Sequence, residues 1–152
     1  MTRAILLTAD EAELILAELE PVEAAVTDPG RSAAFAALRA AVELGDLDGA
    51  AIETLDPLLE LALQTGRVRA IHGPGGEQTA LQLYRRLPSG VSLRQTAAEV
   101  TEALGVLEGR ELERISLSAH GPAAFSLSLN AGGVELTLRL DRQGARVASV
   151  VA

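Results

Sequence analysis

Apolar residues recur at helical spacing through the first part of the chain and at alternate positions through the last part. Leu14, Ile15 and Leu19 follow Thr8 and Glu11, which stand three apart, as in a capping box. In that motif the hydroxyl and the carboxylate satisfy free amides of a helix's first turn. Pro21 has no amide and crowds the preceding turn, so it is expected to end or kink this helix. "DPGRS" reads as a turn, and Phe35, Leu38 and Val42 then mark one face of a helix running from Ser32 to Gly45, a suitable left-handed cap. A further helical run follows Asp48. It is predicted to restart with Asp56 as cap and Pro57 at the first helical position, and to stop at Gly66.

The stretch "IHGPGGEQTALQLYRR" sets a Gly-rich loop before a helix carrying Ala80, Leu83, Tyr84 and Leu87, which Pro88 to Gly90 would close. Ser92 and Gln95 open another helix by capping logic, with Val100, Leu104 and Leu107 on its apolar face. After Gly109 the period becomes two. Ile115 and Leu117 alternate with serines, as do Phe125, Leu127 and Leu129; Val134, Leu136, Leu138 and Leu140 alternate with Glu135, Thr137, Arg139 and Asp141. "HGPA", "NAGG" and "DRQG" separate these runs at hairpin spacing, and "GARVASVVA" supplies a fourth strand. The predicted fold is α+β: an N-terminal helical region, then a helix packed on a four-stranded antiparallel β-meander. The pattern divides near Gly66, giving an acidic helical region 1–66 and an α+β region 67–152, or one continuous domain. The sheet's polar face, with Arg114, Ser116, Ser118, Ser126, Ser128, Thr137 and Arg139, is expected to be exposed or wet, because such groups are costly to bury unpaired.

Composition narrows the function. With 152 residues and no cysteine, the chain can build a core without disulfides, and thiolate zinc sites and cysteine nucleophiles are excluded. The apolar run Ala4 to Leu7 is too short for a signal peptide, so a cytoplasmic protein is expected. Ile115 to Val134 is free of formal charge over a membrane-like length, but its serines, Gly121, Pro122 and Asn130 suit strands, and no membrane association is expected. The net charge of −8 argues against nucleic acid, which is held through cationic contacts to phosphate. Residues 1–66 hold 3 Arg against 13 acidic residues, a net of −10; residues 67–152 hold 10 Arg against 8, a net of +2.

No catalytic or metal-binding signature is complete, and neither a catalytic residue nor a cofactor is assigned. If Gly73 caps a helix that begins at Pro74, the amides of Gly75, Gly76 and Glu77 face an anion site at a positive helix end, with Arg69, His72 and Arg85 as candidate neighbours. The loop lacks the Lys and Ser or Thr of a phosphate loop, and Glu77 puts the chain's own carboxylate there. His72 and His120 are too far apart in sequence to promise a metal site. Ser116, Ser118 and His120 share a strand face without an orienting acid. Glu11, Glu13, Glu18 and Glu20 read as the solvated face of the first helix.

Two functions fit these observations. One is a non-enzymatic interaction or regulatory module that pairs with itself or another protein. The other is a binding protein or enzyme for a small anionic ligand at Gly73–Gly76. Leu14, Ile15, Leu16 and Leu19, with Leu58, Leu59, Leu61 and Leu63, make the N-terminal helices apolar on more than one side. A homodimer built on those helices, burying on the order of 1,000 Å² or more, is the expected assembly.

Overall fold

The computed structural model describes residues 3–152 and divides into two compact units, one ending at Gly90 and the other running from Val91 to Ala152. The first unit contains strand β1 (Ile5–Leu6), helices α1 (Ala9–Ala25) and α2 (Pro29–Leu44), strand β2 (Asp46–Leu47), and helices α3 (Gly49–Gln64) and α4 (Arg67–Tyr84). Helix α5 (Pro88–Gly105) follows, with its first turn in this unit.

The capping box at Thr8 forms as expected. Thr8 Oγ1 accepts from the Glu11 amide at 3.2 Å, and a Glu11 carboxylate oxygen accepts from the Thr8 amide at 3.0 Å. Gly45 closes α2 in the left-handed conformation, with φ 74°. Asp48 caps α3 through the Ala51 amide.

Several helix boundaries differ from the sequence reading. Pro21 does not end α1, which continues to Ala25, and Pro57 does not restart α3, which is unbroken from Gly49 to Gln64. Both prolines lie on exposed faces, as do Ala17 and Glu53, the residues four positions earlier. The carbonyl that each proline leaves without its helical amide can therefore meet water, and the neighbouring rungs hold. "DPGRS" is a helix start rather than a turn: Asp28 accepts from the Arg31 amide at 2.8 Å, and Pro29 is the first helical residue.

Asp56 is a cap, but for a different helix. Buried to 8% exposure, its Oδ2 accepts from the Ser89 amide at 3.0 Å and from the Ser89 hydroxyl at 2.9 Å. These bonds satisfy the beginning of α5, which starts at Pro88 rather than at Ser92, while α4 ends at Tyr84. Its Oδ1 is buried without a hydrogen-bond partner among the described residues.

Ile15, Leu19, Leu38, Ile52, Leu55 and Leu83 fill the core of this unit, and Leu16, Leu58 and Leu63 pack half-buried around it. Most of the apolar surplus of the N-terminal helices is enclosed within their own bundle, with Leu44 and Leu61 left exposed. β1 and β2 add an antiparallel bridge, Ile5 opposite Leu47, that the sequence pattern does not announce.

The second unit is the expected helix on a meander. Strands β3 (Leu112–Gly121), β4 (Ala124–Ala131), β5 (Val134–Asp141) and β6 (Gly144–Val151) form one antiparallel sheet in chain order. Gly132 and Gly133 both take positive φ, as a two-residue hairpin turn that follows the strand twist requires. Leu117, Leu127 and Leu138 align across three strands, as do Ser116, Ser128 and Thr137 on the opposite face. Val100 and Ala103 of α5, and Leu107 just beyond its end, pack with Leu136 and Leu138, while Leu104 is more exposed. The serine and threonine face is exposed or half-exposed throughout. Among the described residues, no helix is long and apolar enough to cross a membrane.

Candidate functional site

The Gly-rich stretch breaks α4 at one residue. Gly73 has φ 72° and ψ −174°, so a short helix ends at His72 and another begins at Pro74. The break turns the His72 side chain toward α1, where its Nε2 lies 2.8 Å from a carboxylate oxygen of Glu18. Arg67 Nε donates to the other oxygen of Glu18 at 2.9 Å. A carboxylate only accepts, so the imidazole nitrogen facing it is the donor. Glu18, at 5% exposure, is a buried anion held by two donors from the start of α4.

This corrects the reading of the α1 glutamates as a solvated face. Glu13 and Glu20 are exposed, but Glu11 and Glu18 are buried. They stand seven apart and so fall on the inward stripe of Leu14, Ile15 and Leu19. Arg86 supplies Glu11's partner and also donates to the Leu6 carbonyl. Burying either carboxylate without such a partner would be strongly unfavourable.

The structure brings Arg69, His72, Gly73, Gly75 and Gly76 together at the break. Arg69 donates to Glu77 at 3.0 Å, and His72 is engaged by Glu18, so both side chains already face carboxylates of the chain. Gly76 is a close-approach glycine: a Cβ there would lie 2.2 Å from His72 Cβ. Gly75 has open space around it. Arg85 is not part of this cluster. It caps the far end of α4, about 16 Å along the helix from Pro74 at 1.5 Å per residue.

On the other side of the Glu18 network lies a cleft that the sequence did not announce. It encloses about 470 Å³ between the C-terminal halves of α1 and α3 and the start of α2. Val22, Phe35, Leu58 and Leu61 give it apolar walls, and Glu18, Arg31, Thr65 and Arg67 are its polar lining. The Arg31 amide is fixed by Asp28, while its guanidinium has no partner among the described residues.

In the sheet unit, His120 Nε2 lies 2.7 Å from Ser126 Oγ on the exposed face. No carboxylate bonds to His120 among the described residues, so the pair lacks the orienting acid of a hydrolytic triad. Arg114, Ser116, Ser128, Asn130 and Glu135 line a shallow polar basin of about 260 Å³. The opposite, apolar face is covered incompletely. Ile115 and Leu117 on edge strand β3 are 58% and 61% exposed, and Phe125, Val147 and Val150 are also open.

Three ionisable pairs and clusters have displaced titrations. Hydrogen bonds from Arg39 hold the Glu23 carboxyl below its ordinary value and raise Arg39 in turn. The Gln143 amide, with Arg146, lowers Asp141. Burial raises the Tyr84 phenol, reinforced by Glu60 and Asp56. Among the described residues, no group of His, Asp and Glu side chains is arranged to hold a metal ion. No protein-family model, curated protein or solved structure matches this chain significantly.

Proposed function

We propose that the chain is a non-enzymatic interaction module that self-associates through its sheet unit. The observation that carries this reading is the uncovered apolar side of β3. Strand alternation places Ile115 and Leu117 on the core face, yet the cluster under α5 draws on β4, β5 and the start of β6 and leaves both of them open. Covering each of these side chains would contribute on the order of 1 kcal/mol, about half the value of full burial.

The strand's free edge points the same way. β3 is ten residues long and carries neither Pro nor Lys, two residues that commonly blunt edge strands. Its register shifts lie near its ends, between Leu112 and Arg114 and between Ala119 and Gly121, leaving the middle regular. A second β3 can pair with it antiparallel about a twofold axis. In a register centred on Ser116, Ile115 faces Leu117 and Arg114 faces Ser118. This keeps one face apolar and sets no like charges opposite each other. The occupant is therefore a second copy, and the interface moves from the N-terminal helices to the sheet.

Sedimentation of the full chain at micromolar concentration tests this. A dimer is expected, tighter in moderate salt because copies of net charge −8 repel less when screened. Leu117→Asp should dissociate it while leaving the helical signal intact. A 15.8 kDa monomer at low and moderate salt would refute the proposal, as would a dimer indifferent to Leu117→Asp.

A further inference from the structure

We infer that the cleft between α1, α2 and α3 binds a single-chain amphiphilic carboxylate, a fatty-acid-like molecule with its alkyl chain on the apolar walls and its carboxylate toward Arg31. Three observations converge on this ligand. The volume of about 470 Å³ lies in the range of about 300 to 1,000 Å³ typical of small-molecule sites. The walls are aliphatic apart from Phe35, and Leu61, one of them, is 59% exposed although it is a leucine in a well-packed bundle. An alkyl chain in the cleft would cover it.

The charge is the most selective feature. Residues 1–66 hold only three cations, Arg3, Arg31 and Arg39, against thirteen acidic residues. Arg39 is committed to Glu23, whereas the Arg31 guanidinium stands at the cleft without a partner among the described residues. Arg67 lines it too and is paired with the one carboxylate of the lining, Glu18. The lining, with two arginines against one glutamate, is thus net cationic in an otherwise acidic region. An anionic head suits it, and an apolar tail is needed to use the walls. A guanidinium reads a planar carboxylate through paired N–H donors.

The experiment is calorimetric titration of the full chain with dodecanoate below its micelle concentration, with dodecanol and acetate in parallel. Saturable binding of one dodecanoate per chain is expected, with dodecanol at least about tenfold weaker and acetate silent. Arg31→Gln, an exposed substitution, should weaken dodecanoate about tenfold, the worth of one charge-assisted contact. Ala25→Trp, on the exposed rim of the cleft, should abolish binding by filling it, with the circular dichroism unchanged. Leu117→Asp should leave binding intact, which separates the cleft from the apolar sheet face. The inference is overturned if dodecanoate fails to bind, if acetate binds as well as dodecanoate, if Arg31→Gln binds like the parent chain, or if Leu117→Asp abolishes binding. Should Ala25→Trp not fold, Leu61→Ser takes its place, with weakened binding expected and unchanged binding overturning the assignment.

Discussion

Gly75 and Gly76 are neighbours in sequence and share the first turn of the second α4 segment, yet replacing each with alanine should have opposite effects. Neither has positive φ, so both tolerate an L side chain on backbone grounds. The difference is space. A Cβ on Gly76 would lie 2.2 Å from His72 Cβ, 3.4 Å from its Cγ and 3.9 Å from a Leu14 methyl. The first contact is impossible without displacing the histidine. Overpacking of this kind costs about 1 to 3 kcal/mol. Moving His72 also removes one of the two donors on buried Glu18, a charged hydrogen bond worth about 1.5 to 3 kcal/mol. Allowing for partial relaxation, Gly76→Ala should destabilise by about 2 to 4 kcal/mol. In a unit of this size that lowers the thermal midpoint by roughly 10 to 25 °C. Gly75→Ala meets nothing within 4 Å and should stabilise by about 0.4 to 1 kcal/mol, through the lower entropy of its unfolded chain. Thermal and urea unfolding followed by helical circular dichroism measures both. The reasoning fails if the two variants behave alike, or if Gly76→Ala stays within about 0.5 kcal/mol of the parent, the range of a bland surface change.

Two further predictions concern caps and charge. Asp56→Ala should cost about 1 kcal/mol, a typical cap value, by stripping the Ser89 amide of its acceptor; urea unfolding shows it, and an unchanged midpoint would mean that the bond from α3 to the start of α5 contributes nothing. Glu23 has its folded carboxyl value lowered by Arg39, so its stabilisation is complete above the unfolded value near pH 4.5 and is lost as pH falls through the lower folded value. Arg39→Gln should therefore flatten the fall in thermal midpoint below about pH 5, and an acid limb of unchanged slope would contradict this.

Local patterns carried most of the fold into view. The Thr8 and Glu11 spacing, the glycine at the end of α2, the paired glycines of the β4–β5 turn and the period-two runs each act within a few residues, and each appears where its chemistry requires. What stayed hidden depends on which side of an element faces water. Pro21 and Pro57 are tolerated because they point outward, which a breaker rule applied to sequence does not register. Glu11 and Glu18 resembled a polar face because their partners, Arg86, Arg67 and His72, lie 49 to 75 residues away. A clue was present in their seven-residue spacing along the stripe of Leu14 and Ile15. The cleft had no local signature, since residues of four helices line it. The scarcity of cations in the acidic region, with Arg31 among them, was its one trace in the sequence.

The strand order of the sheet, β3-β4-β5-β6, means that every strand pairs only with its neighbour in the chain. Each pairing closes a short loop, so the entropy lost before a contact forms is small. Sheets that must join distant segments assemble slowly, whereas this one can zip hairpin by hairpin from any of its three turns. Folding speed in the second unit should therefore be set by the local chemistry of those turns. A residue such as Gly133, at φ 80°, would govern the rate at which the sheet appears as well as its final stability.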